Sequence, residues 1–274
     1  MSAQTHGEGI FLDMSEADYR AAPGVNVSAL KSMRLSAAHY KHAREEQEDK
    51  QNAALIVGTL VHRAKLEPDR LCYAVRPAMF DSWRTKASQE WRDAQTLPVV
   101  TPEEEQDVLR CADALGRLDL LTEAAARGNA EVKCFKRHNR TGLMLKGAAD
   151  LVFTDDNVVT WIIDLKTVPE EGACKDAFSR KIADLNYHMQ AAFYADLFET
   201  TNFIFIAVEK KGFPGVAAYQ LDQESMEVGR RTNEALLAQL SRCFKDDRWD
   251  GYDSGVQTIK LPGWKIKQDG TDIQ

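Results

Sequence analysis

Cysteine is scarce: five residues in 274, Cys72, Cys111, Cys134, Cys174 and Cys243, an odd number with no Cys-x-x-Cys pair. That pattern argues against a disulfide framework, structural zinc and an iron–sulfur cluster. Long apolar runs are also missing. The longest, Phe203 to Val208, falls far short of the ~20 residues that cross a bilayer. The opening residues, MSAQTHGEGIF, lack the basic start and apolar stretch of a secretory signal, so a soluble cytoplasmic protein with no membrane contact is expected. An excess of positive charge is absent as well. The 42 acidic residues outnumber the 35 basic ones, for a formal charge of −7. A basic coat for nucleic acid or membranes is thereby disfavoured, although a local basic channel stays open. Eight prolines and 16 glycines exclude collagen-like or low-complexity character. What remains is ordinary globular composition, 44% hydrophobic and 28% charged, long enough for one large domain with a real core.

Residues 1–27 read as a polar, irregular segment. Ser28 and Ser36 then suit the N-caps of helices at 29–34 and 37–47. A third helix is expected at 52–66, with Leu55, Ile56, Thr59, Leu60 and Leu66 as its apolar stripe and Pro68 beyond its end. Residues 69–100 carry Trp83, Arg84, Lys86 and Trp91 without a period, as an insertion or arm would. Pro102 with Glu103 to Glu105 opens an acidic first helical turn, and apolar positions recur to about Arg127. From Glu131 the period becomes that of strands, at 131–137, 143–153 and 158–168. A helix at 187–199, strands at 202–210 and 215–221 and a helix at 223–245 complete the order. The fold class is α/β (α+β), a central mixed sheet of about five strands flanked by helices. One domain spans 28–248, and a polar tail occupies 249–274.

The chemistry concentrates in Gly147 to Thr167, where charged residues interrupt apolar strands and need a reason to be there. Asp164 and Lys166 are two apart and so share a strand face, while Ile163 and Leu165 point the other way. A three-residue loop, Asp155-Asp156-Asn157 with Asn157 left-handed, would pair Thr154 with Val158. Asp150 then becomes a diagonal neighbour of Asp164. A four-residue loop would put the two carboxylates on opposite faces. Two converging carboxylates call for a cation between them, and oxygen ligands select Mg²⁺ or Mn²⁺. A lysine beside such a site can hold an attacking water or offset charge on a scissile phosphate. The alternative for the same spacing is a buried Asp–Lys ion pair.

Asp150 followed by Asp164-Leu165-Lys166 resembles the PD-(D/E)XK nuclease motif. His62 in GTLVHRAKLEP, Gln190 and Tyr194 as Gln-x-x-x-Tyr, and the opening VSALKSMRLSAAHYK extend the likeness. Together they are similar to the RecB-like branch, and within it to the exonuclease VIII (RecE-type) catalytic domain, over roughly residues 10–245. Ala149 stands where the superfamily's name has proline. The resemblance implies His62, Asp150, Asp164 and the Leu165 carbonyl as ligands of Mg²⁺, with Mn²⁺ able to substitute. Lys166 is implied as the catalytic lysine, with Gln190 and Tyr194 supporting it or touching DNA. It further implies 5′→3′ exonuclease action on double-stranded DNA ends, in a bacterial or phage-infected host. A ring-like homo-oligomer and a phage-type single-strand annealing protein as partner follow from the same resemblance.

Each of these residues also has a structural reading: a core histidine for His62, and an amphipathic helix packed on the sheet for Gln190, Tyr194 and His188. Glu131 is either a water-mediated metal contact or a solvated strand end, and Glu209 a neighbour of the site or a surface partner of Lys210 or Lys211. Phosphate contacts are expected from Lys31, Arg34, Lys41 and Arg44, and from Lys133, Lys136, Arg137, Arg140 and Lys146. Trp83 and Trp91 either stack on frayed bases or serve as core or interface residues.

Overall fold

The computed structural model describes residues 7–45, 53–158, 160–263 and 266. Strand β1 (Gly9–Phe11) and helices α1 (Glu16–Ala21), α2 (Val27–Ser32) and α3 (Ala37–Glu45) lead to α4 (Ala53–Leu66). A 3-10 turn, Pro68–Arg70, precedes β2 (Ala74–Val75), α5 (Lys86–Asp93) and β3 (Val99–Val100). Helices α6 (Pro102–Gly116) and α7 (Asp119–Arg127) then give way to β4 (Asn129–Arg137), β5 (Met144–Thr154) and β6 (Thr160–Val168). Helices α8 (Lys175–Asp184) and α9 (Tyr187–Leu197) lead on to β7 (Asn202–Glu209), β8 (Val216–Tyr219) and α10 (Gln223–Asp246).

The central sheet has the order β1-β4-β5-β6-β7-β8. All its neighbours are antiparallel except β6 and β7, whose parallel pairing requires the crossover that α8 and α9 supply. Both faces are covered, which is why β6 and β7 read as nearly unbroken apolar runs. Ile162, Phe203, Phe205 and Ala207 pack on one face with Leu30, Tyr40, Met189 and Leu240. Ile163, Leu165, Ile204 and Ile206 pack on the other with Leu60, Val61, Val108 and Leu121. No described helix is long and apolar enough to cross a membrane.

Several expectations are corrected. The central sheet has six strands, because residues 9–11 pair with β4, and α1 further removes the irregular character expected of the first segment. Asn26, not Ser28, caps α2, its side chain accepting from the Ala29 N–H at 2.8 Å. Ser36 does accept from the His39 N–H, at 3.2 Å, at the start of α3. The ends expected for the neighbouring helices at 46–47 and 52 lie outside the described residues. Leu55 and Thr59 are exposed, whereas Leu60 is buried as expected, with Val57 and Val61 buried beside it. The helix expected at 102–127 is two helices, α6 and α7. Residues 69–100 are locally ordered by the parallel β2–β3 pair, and the polar helix α8 was not foreseen. The tail is anchored where the Trp249 ring stacks on Tyr40 at 6.1 Å.

The register matters most. Thr154 pairs with Thr160 and Leu151 with Ile163, so five residues, not three, separate the paired ends. An Asx turn accounts for the longer loop. The Asp155 carboxylate accepts from the Asn157 N–H at 2.9 Å and from Trp161 Nε1 at 3.0 Å, and the left-handed residue is Val158 (φ 62°), not Asn157. Two extra residues preserve the face and shift the pairing by one step of two. Asp150 therefore falls directly opposite Asp164, not diagonal to it.

Candidate functional site

At that step the β5–β6 ladder is completed by a side chain: Asp150 Oδ2 accepts the Leu165 N–H at 2.7 Å. Asp164, 2% exposed, is gripped on both oxygens. Gln190 Nε2 donates to Oδ1 at 2.7 Å, and Lys166 Nζ lies 2.5 Å from Oδ2. His62, on α4, approaches Asp150 from beyond the sheet, its Nδ1 3.5 Å from Oδ2. Five expected site residues, His62, Asp150, Asp164, Lys166 and Gln190, thus meet. Leu165 enters through its main chain, its side chain being buried on the opposite face. Tyr194, one turn beyond Gln190, packs against Phe203 and over Gly147, where an added Cβ would meet its ring at 3.1 Å. Burial holds the Tyr194 hydroxyl well above the usual phenol range, so it stays protonated beside the carboxylates.

Burial drives the Asp150 carboxyl up to about 6, with Asp164 adding to the rise and His62 and Lys166 opposing it. Burial alone would lower Lys166, but the Asp164 and Asp150 carboxylates outweigh it and hold the ammonium above its ordinary value. The Lys166 ammonium also sits 4.8 Å from the centre of the Tyr187 ring. Nothing in the sequence marks Tyr187, an aromatic at the start of a helix, as such a platform.

Glu131 shows something the sequence did not signal. It lies in β4 at the register position facing Asp150, and main-chain pairing skips it between Ala130↔Leu151 and Val132↔Ala149. Its φ of 54° is strained for a side-chain-bearing residue in a strand. The carboxylate accepts Lys133 Nζ at 2.7 Å and adds negative charge near Asp150, so it is more than a solvated strand end. Glu209 pairs with neither Lys210 nor Lys211. It accepts the Ala173 N–H at 3.0 Å and braces the chain that follows β6.

The expected basic surface on β4 and β5 is corrected at Lys133 and Lys146, which are buried, while Arg137 and Arg140 stay exposed. Lys146 is buried and donates to the carbonyls of Tyr19, Arg20 and Ala22. Lys133 pairs with Glu131 and Glu16, Lys136 with Glu199, Arg137 with Glu8 and Arg140 with Glu234. Trp83 and Trp91 stack on each other at 6.2 Å, with the Arg76 and Arg92 guanidiniums against Trp83.

Two carboxylates and an imidazole facing one another are hard-to-borderline donors suited to Mg²⁺ or Mn²⁺. The partly buried carboxyl of Asp150, disfavoured as an anion, is what a cation there would relieve. Among the described residues no three His, Cys, Asp or Glu side chains converge into a ready-made metal cluster. The Lys166 ammonium takes the Asp164 oxygen that such a cluster would use.

Residues 26–262 match the model of a PDDEXK-like domain of unknown function (DUF3799). The chain belongs to this PDDEXK-like family. The Asp150, Asp164-x-Lys166 motif accordingly sits within the superfamily that it resembled. Among solved structures, a candidate exonuclease from Eubacterium rectale superposes with a TM-score of 0.61 at 14% identity, over 94% of this chain and 98% of that one. Identity that low speaks to the fold alone, which the two chains share over nearly their whole lengths. A second structure, SSO0001, is 17% identical over 77% of this chain and 84% of its own, with a TM-score of 0.33. No curated protein matches the chain.

Proposed function

We propose that this PDDEXK-like protein is a Mg²⁺-dependent exonuclease that hydrolyses one strand of linear double-stranded DNA from its ends. The observation that carries the reading is Asp164 held between Lys166 and Gln190, directly opposite a partly buried Asp150 that is costly to ionise. His62, Asp150, Asp164 and the Leu165 carbonyl would hold the metal, which when bound supplies charge stabilisation at the scissile phosphate and a more acidic water. Gln190 fixes the Asp164 rotamer. Lys166 carries a permanent positive charge within reach of the same carboxylate, where it orients the attacking water or offsets charge building on phosphorus. The resemblance to the exonuclease VIII type supplies the rest of the proposal: 5′→3′ polarity, single-stranded product for phage-type recombination, a ring-like oligomer and an annealing-protein partner.

The test uses end-labelled linear duplex and closed circular duplex, each with Mg²⁺ or with EDTA, beside Asp164→Asn. Metal-dependent loss of the linear DNA alone, abolished in the variant, supports the reading, and the label position reports polarity. Nicking of the circle would instead make the enzyme an endonuclease. Absence of hydrolysis with Mg²⁺ and with Mn²⁺ would make it a DNA-binding or assembly module.

A further inference from the structure

Of the four N-terminal cations Lys31, Arg34, Lys41 and Arg44, Lys31 is the one that reaches the site. Lys41 lies against the Trp249 ring, and Arg44 against Tyr40 and Phe244, where they cover the anchored tail. Lys31, half-buried on α2, donates to the Leu185 carbonyl at 2.9 Å across 154 residues of sequence. That carbonyl is presented by the turn between α8 and α9, where Asn186 takes the left-handed conformation (φ 52°) that asparagine tolerates. The Lys31 ammonium stands 5.3 Å from the centre of the Tyr187 ring, whose centre is 4.8 Å from Lys166 Nζ. Two ammonium groups thus share one aromatic platform, no more than about 10 Å apart. Asp164, the carboxylate that bears on Lys31 among the described residues, is already engaged by Lys166 and Gln190. Lys166 has both Asp164 and Asp150 to answer its charge, whereas Lys31 has, among the described residues, only the already committed Asp164, so Lys31 is the cation that an anion would relieve.

We propose that Lys31 grips a phosphodiester of the substrate strand beside the one placed against Lys166, with Tyr187 as the floor between them. This rests on the nuclease reading and adds a substrate contact to it. Two of the three Lys31 N–H donors remain after the Leu185 bond, enough for a charge-assisted contact to phosphate. Because that contact is the same before and during reaction, its loss weakens binding without slowing the chemical step.

Binding of a fluorescent DNA duplex is measured by anisotropy against KCl concentration in the Asp164→Asn protein, with and without Lys31→Met. Loss of one phosphate contact makes the slope of log affinity against log salt shallower by about one. In otherwise wild-type protein with Mg²⁺, Lys31→Met raises KM severalfold and leaves kcat within about twofold. Lys31→Arg restores both. If Lys31→Met lowers the unfolding temperature, Lys31→Gln, which keeps a donor for Leu185 without the charge, is read in its place. An unchanged salt slope and KM in a folded variant overturn the proposal and leave the nuclease reading standing. A wild-type protein that binds DNA without cutting it overturns the nuclease reading, and the salt slope still decides Lys31. A protein that does not bind DNA overturns both.

Discussion

Replacing Asp150 by asparagine should stabilise the metal-free protein at neutral pH. Burial raises the carboxyl from 3.8 to about 6 in the fold, and each unit is worth about 1.4 kcal/mol between ionised and neutral forms. Ionised Asp150 therefore costs the folded state about 3 kcal/mol at pH 7.5. Asparagine keeps an oxygen to accept the Leu165 N–H and gives up the contact with His62 Nδ1. A net gain of about 2 kcal/mol remains, or about 4–8 °C for a domain of this size. The folded value lies above the unfolded one, so the cost is complete above about pH 7, recedes as pH falls through 6 and is gone only below about pH 3, where aspartate is protonated in both states. Thermal unfolding in EDTA reads the change: the variant leads at pH 7.5, and at pH 4.5, where the cost has fallen to about 1 kcal/mol and the lost His62 contact offsets it, the two proteins match. Mg²⁺ or Mn²⁺ should then raise the melting temperature of wild type and not of the variant. A variant less stable than wild type at pH 7.5 in EDTA would refute the reasoning. It would mean that His62 and Lys166 already satisfy Asp150, and that the cluster is a structural ion-pair network.

Three further outcomes follow from single positions. Lys166→Met should cut turnover by about 10³-fold, since an interaction concentrated in the transition state is lost, while the metal-induced rise in melting temperature survives. Near-normal turnover in a steady-state assay would remove Lys166 from the chemistry. Lys146→Met should cost about 2–4 kcal/mol in urea denaturation, because three carbonyls at the end of α1, two of them buried, lose their donor. A cost under 1 kcal/mol would show that water replaces the ammonium. Gly229→Ala should cost about 2–3 kcal/mol, since the added methyl would press on the His188 carbonyl where α10 crosses α9. Unchanged stability by the same measurement would mean that the two helices can separate freely.

The site was legible wherever a local period carries the information. Asp164 and Lys166 share a face because strands repeat every two residues, and Gln190 and Tyr194 because helices return after four. The register between Asp150 and Asp164 was not legible to that precision. It depends on a loop whose length is set by Asp155 side-chain bonds to Asn157 and Trp161, which no periodicity reports. Charge was read worst. Lys133, Lys136 and Lys146 look like a basic surface when counted along the strands, yet their partners come from α1, residue 199 and the main chain that follows α1. Lys31 was counted with the same kind of run, and only the fold separates it from its neighbours by bringing Leu185 to it.

The precision of the site has a source outside its charged residues. Asp164 accepts from Gln190 only because α9 lies very close to the sheet, and that closeness is permitted from both sides by missing side chains. Beneath the helix, a Cβ on Gly147 would stand 2.7 Å from Leu197 Cδ2 and 3.1 Å from the Tyr194 ring. Above it, Gly229 lets α10 press on the His188 main chain. Asn233 on α10 then donates to the Met189 carbonyl at 2.9 Å, fixing the turn that carries Gln190. A helix held between two glycine contacts and one buried amide has little freedom to tilt, so the Gln190 amide meets Asp164 at a set position. The same clamp fixes Tyr187 at the start of α9, and with it the platform that Lys31 and Lys166 share. Loosening α9 should therefore disturb carboxylate orientation and phosphate contact together, even though Gly147 and Gly229 touch neither group.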